Sequence, residues 1–172
     1  TLQLETILLA ENQIQKLNNI HYLSSLRVLK LGRNSLRELP KGIEKLKYLE
    51  ELDLHSNSIS VLGEEIGALK ALRSLNLATN ELTQLPDEIT QLTNLEELSL
   101  KYNGIEVYPD SMDALKKMKK LDLSSCFLTK IPDFVFGFSE LEYLDLRRNP
   151  ISNIFEKRKE WKKNWEKIRI VV

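Results

Sequence analysis

Cysteine and histidine are scarce: one cysteine and two histidines stand among 172 residues. The lone Cys126 rules out an intrachain disulfide framework. His21, His55 and Cys126 lack the ligand spacing of a protein metal site, so no metal or cofactor is expected. The six glycines are not gathered into a phosphate-cradling loop. Neither sign of charge is in excess, with 25 Lys plus Arg against 25 Asp plus Glu. That balance argues against a dedicated nucleic-acid or anionic-membrane binder. No apolar run approaches the roughly 18 residues a membrane helix needs, and the first twenty residues show no signal-peptide pattern.

What the chain has in abundance is leucine, roughly a fifth of its residues and about twice an ordinary share. Aligning the leucines gives one register: LETILLAENQI from Leu4, LRVLKLGRNSL from Leu26, LEELDLHSNSI from Leu49 and LRSLNLATNEL from Leu72. It continues as LEELSLKYNGI from Leu95, MKKLDLSSCFL from Met118 and LEYLDLRRNPI from Leu141. Successive starts are 22 residues apart once and 23 thereafter. Between them recurs a second piece: LPKGIEKLKYL, LGEEIGALKAL, LPDEITQLTNL, YPDSMDALKKM and IPDFVFGFSEL.

This pattern resembles the leucine-rich repeat family in its short form with an LP step. The resemblance implies an α/β repeat solenoid over residues 1–154, a curved horseshoe with a parallel concave sheet and an irregular or 3₁₀ convex side. The residues agree. The alternating part predicts a short strand, with Leu52 and Leu54 inward and Asp53 outward. Pro40, Pro86, Pro109 and Pro132 set the return, with Gly63 in proline's place in the third repeat. Asn12, Asn34, Asn57, Asn80, Asn103 and Asn149 share the ninth position of the segment, where a side-chain amide can satisfy backbone groups of neighbouring repeats. Cys126 holds that position in the sixth repeat, which makes it a substituted rung rather than a reactive thiol.

A stack of repeats has two ends that need covers. Residues 155–172 are expected to form a C-terminal cap. Ile154, Arg158, Trp161, Trp165 and Ile168 fall at helical spacing, and IRIVV follows as a final strand or extended lid. At the other end Thr1 falls inside the repeat register, from which a preceding cap, signal peptide or further repeats are expected.

Function should lie in the outward strand positions and the loops that follow them. Asp53, His55, Asn76, Glu97, Lys101, Tyr102, Lys120, Asp122, Tyr143, Asp145, Arg147 and Arg148 are the candidate partner-binding residues. Tyrosine and arginine at the C-terminal end are of the type that anchors interfaces. Asp53 and His55, facing Ser74 and Asn76, invite comparison with a catalytic triad. An open sheet excludes little water and offers no oxyanion hole, so the expectation is a non-enzymatic, monomeric module binding a protein partner. The resemblance adds a bacterial secreted or surface protein that engages a host component. The alternative is the recognition arm of a larger effector enzyme or signalling scaffold.

Overall fold

The computed structural model describes residues 3–152 and 168–172. Each repeat contributes one three-residue strand: β1 (Thr6–Leu8), β2 (Val28–Lys30), β3 (Glu51–Asp53), β4 (Ser74–Asn76), β5 (Glu97–Ser99), β6 (Lys120–Asp122) and β7 (Tyr143–Asp145). An eighth, β8 (Arg169–Val171), follows β7 in the same sheet. All eight pair in parallel in chain order, forming one open curved sheet. The IRIVV segment is therefore a strand. The helix expected to precede it lies outside the described residues.

Strict register explains the core. The middle residues Ile7, Leu29, Leu52, Leu75, Leu98, Leu121, Leu144 and Ile170 stand directly opposite one another. From Leu29 to Leu144 these side chains are buried, as are the next inward leucines, Leu31, Leu54, Leu77, Leu100, Leu123 and Leu146. Short 3₁₀ turns return the chain on the convex side, at Ile20–Tyr22, Ile43–Lys45, Glu64–Ala68, Asp87–Gln91, Met112–Ala114 and Asp133–Gly137. Each buries an aliphatic residue in the same core, such as Ile43, Ile66, Ile89 and Val135.

The asparagine ladder joins the repeats. The Asn80 amide donates to Leu54 O and Leu77 O at 3.0 Å each, and its oxygen accepts Ile59 N–H at 3.0 Å. Asn34, Asn57, Asn103 and Asn149 repeat this set on their own neighbours. The chain reaches each rung through a left-handed residue: Glu11, Arg33, Ser56, Thr79, Tyr102, Ser125 and Arg148 all have positive φ. That conformation is unfavourable for L-residues, and the rung's bonds hold it. Cys126 occupies its rung buried, with Sγ 3.2 Å from Leu100 O. Burial pushes the thiol's pKa up to about 11, the opposite of an activated nucleophile.

A second ladder runs along the residue preceding each strand. Glu5, Arg27, Glu50, Arg73, Glu96, Lys119 and Glu142 alternate in sign. Arg27 pairs with Glu5 and Glu50, and Glu96 lies 3.0 Å from Arg73 and 2.7 Å from Lys119. Exposed pairs contribute little individually, but a stack shifted by one repeat would set like charges together.

Gly63 confirms the reading of the LP step. Its φ of −72° and ψ of 162° nearly match those of Pro86, at −73° and 152°. The nearest obstacle to a side chain there is the mobile end of Glu65. Gly63→Pro should therefore stabilise the fold by about 0.4–1 kcal/mol, by restricting the unfolded chain. An increased urea midpoint at unchanged slope is the expected result.

Candidate functional site

Two outward rows form the concave face. One reads Val28, Glu51, Ser74, Glu97, Lys120, Tyr143; the other reads Lys30, Asp53, Asn76, Ser99, Asp122, Asp145. The small Ser74, Asn76 and Ser99 sit on adjacent strands between longer side chains, so the surface dips there. The result is a shallow dish of about 270 Å³, walled by Glu51 and Asp53 on one side and by Glu97, Lys120, Asp122 and Tyr143 on the other. Four carboxylates and one ammonium line it. Glu51 is held by Lys30 at 2.9 Å and Glu97 by Lys120 at 2.6 Å. Those hydrogen bonds raise the pKa of both lysines, which stay charged.

The structure divides the twelve candidate residues. Asp53, Asn76, Glu97, Lys120, Asp122 and Tyr143 come together in the dish. Lys101, Tyr102 and Arg148 lie apart from it, on the rim where the chain leaves the sheet. There Arg148 Nη1 donates to Tyr102 Oη at 2.6 Å, and the Lys101 ammonium lies 5.1 Å from the Tyr102 ring centre. Ser99, which completes the floor, carries no chemical signature in the sequence. Only its small size beside longer neighbours in adjacent repeats could have marked it.

The Asx row also does local work. Asp53 Oδ1 accepts His55 N–H at 3.1 Å and Asn76 Oδ1 accepts Ala78 N–H at 3.1 Å. Asp122 Oδ1 accepts Ser124 N–H at 2.9 Å and its hydroxyl at 2.6 Å, and Asp145 Oδ1 accepts Arg147 N–H at 3.0 Å. Each closes an Asx turn at the strand's end, a competence of short polar side chains. The appearance of Asx at this position in four repeats was a readable sign of that role.

Asp145 is corrected outright as a partner contact. It is 1% exposed, covered by Arg147 (Nε at 3.0 Å, Nη2 at 2.5 Å) and by the Tyr143 hydroxyl at 3.2 Å. Arg147 and Tyr143 face outward, while the carboxylate supports them. His55 is similarly committed. Its Nδ1 is 2.8 Å from Asp53 Oδ1, and its ring packs so closely on Gly32 that a Cβ there would fall 2.2 Å from it. No hydrogen bond among the described residues joins the imidazole to Ser74; the pair shown is Asp53 with His55.

A parallel solenoid with a concave sheet, a 3₁₀ convex side and a buried asparagine ladder defines a class of repeat protein. The pattern described as leucine-rich repeat region matches residues 1–122, and a further leucine-rich repeat matches residues 117–138. The chain belongs to the leucine-rich repeat family. It is 36% identical to asporin of Bos taurus over 62 residues, 35% of this chain and 17% of asporin. A leucine-rich repeat protein of Leptospira interrogans superposes with a TM-score of 0.73 at 31% identity, over 98% of this chain and 49% of its own. An internalin of Listeria monocytogenes gives 0.78 at 19% identity, over 98% and 47%, and shows the fold alone. The chain thus spans about half the length of these two solved structures. Proteins of this family are typically protein-binding modules.

Burial raises the pKa of the Asp145 carboxyl, but bonds from Arg147 and Tyr143 outweigh it and leave the group below the usual range. A depressed folded pKa means stability that is present above the unfolded value and lost as pH falls through the folded one. Asp145→Asn should cost about 1–3 kcal/mol at neutral pH and flatten the loss of stability on acidification. Urea titrations of both proteins at descending pH check this; parallel curves would contradict it.

Proposed function

We propose that this protein binds a protein partner across its concave face, with the dish between β3 and β7 as the central contact. The observation that carries the reading is the dish itself. Small polar residues on β4 and β5 form a floor open to a partner, and the walls present four carboxylates against one lysine. A basic side chain entering there would meet charge on both sides, and Tyr143 and Arg147 offer an aromatic and a planar cation beside it. The eight-stranded face extends roughly 34 Å at the usual strand spacing, adequate for an interface of standard size.

The non-enzymatic reading fits the site. The Asp53–His55 pair serves the sheet, and the thiol is buried with its pKa raised. The similarity to a Leptospira protein over nearly the whole chain favours a bacterial source, and with it goes our reading of a secreted or surface protein that engages a host component. The second reading is a recognition arm within a larger effector enzyme or signalling scaffold.

Ser74→Arg fills the floor without touching the core. It should weaken partner binding by about tenfold or more, as should Tyr143→Ala, with urea stability nearly unchanged. The measurement is affinity for the partner recovered by pull-down with the parent chain. Unchanged affinity in both variants would place the contact elsewhere.

A further inference from the structure

Among the described residues one junction of the stack lacks both of its cross-repeat backbone contacts, and an aromatic residue is displayed there. Pro150, next in register, has no N–H to donate, but Leu128 keeps its bond to Asn149. In four successive repeats the amide after the rung donates to the preceding repeat: Ser35 to Ile14 O, Ser58 to Leu36 O and Glu81 to Ile59 O at 2.9 Å, Gly104 to Leu82 O at 3.0 Å. The next donor in register is Phe127, whose acceptor would be Ile105 O. Among the described residues that bond is missing. The Ile105 N–H also lacks its partner, because the rung above it is Cys126, which has no carboxamide oxygen. Ile105, buried at 2% exposure, thus loses both cross-repeat backbone bonds.

The chain resolves this by closing around the following rung. Asn149 Oδ1 accepts both Cys126 N–H at 2.9 Å and Leu128 N–H at 3.0 Å. Phe127 between them is pushed out at φ 58°, with its ring 79% exposed. A non-glycine residue in the left-handed region is costly, and an exposed phenyl recovers nothing by packing. Held strain of this kind points to use.

The surroundings say what would meet it. Tyr102, 42% exposed, lies on the same rim one repeat earlier. Gly104, at Phe127's register position in that repeat, leaves open space beside its backbone, the nearest atom to an added Cβ being Leu82 O at 4.0 Å. Lys30, Lys120 and Arg147 on the sheet all have carboxylate partners. Lys101 and Arg148, which meet Tyr102 on this rim, have none among the described residues, and Glu106, the nearest acid along the chain from Gly104, pairs with neither.

We propose that the rim of repeats 5–7, with Phe127 and Tyr102 as anchors and Lys101 and Arg148 beside them, is a second contact surface that takes an acidic protein segment carrying an apolar side chain. It rests on the binding-module reading but uses a face of opposite charge to the dish. A protein segment fits better than nucleic acid because the cations are two separate points rather than a continuous stripe along a backbone path.

Amide exchange and a peptide titration, followed by nuclear magnetic resonance, test this. The Ile105 and Phe127 amides should exchange fast beside protected Glu81 and Gly104, and Cys126→Asn should slow both. A short peptide of alternating glutamate and leucine should give saturable shifts at residues 101–104, 126–130 and 148. Phe127→Ser, Arg148→Glu and Cys126→Asn should each weaken it by about tenfold, whereas Ser74→Arg should leave it unchanged, separating this surface from the dish. Protected Ile105 and Phe127 amides in the parent would overturn the proposal. So would the absence of saturable shifts, shifts confined to the concave rows, or equal binding of a lysine–leucine peptide or an oligothymidylate.

Discussion

A side-chain amide at one position per repeat is the constraint on which the rest of the structure depends. Three-residue strands are too short to fix their own register, and every repeat passes through a left-handed residue that is locally unfavourable. The rung asparagine ties its own strand end to the preceding repeat through three bonds, as Asn80 does with Ile59, Leu54 and Leu77. With the chain pinned there, the inward leucines of successive strands meet face to face and the outward residues become continuous rows. Burial of leucine supplies the driving force; the ladder decides where it is applied.

Function follows from what the ladder leaves free. Because register is fixed at the rung, outward positions can vary without disturbing the core, and their relative sizes become surface relief. Ser74, Asn76 and Ser99 make a depression only because Glu51, Glu97 and Tyr143 stand in one row and Asp53 and Asp122 in the other. Where a rung is replaced, relief appears of another kind. Cys126 keeps the donor to Leu100 O but not the acceptor, and Phe127 comes out of line. The cysteine is buried with its pKa raised and still shapes the surface beside it.

Much of this was legible in the sequence because period two and period 23 reinforce each other. The strands, the leucine core, the LP returns, the ladder and the place of Cys126 all follow from register alone. The alternating charges from Glu5 to Glu142 were equally readable. The site was less so. Reading residue types singled out Asp145 by its charge, whereas its burial under Arg147 depends on an arginine two residues away folding back over it. The dish depends on differences in length between side chains 23 residues apart, which composition does not show. The bulge at Phe127 depends on a missing oxygen, and an absence is seen only against the bonds that the other repeats make.

Asn80→Ala tests the central claim most directly, since Asn80 is buried with complete ladder bonds on both sides. Urea unfolding at neutral pH should show one cooperative transition with stability reduced by about 2–4 kcal/mol, the cost of three lost bonds at a buried site. A loss below about 0.5 kcal/mol, the range of an ordinary surface substitution, would contradict the ladder's role and leave leucine packing as the sole determinant of register.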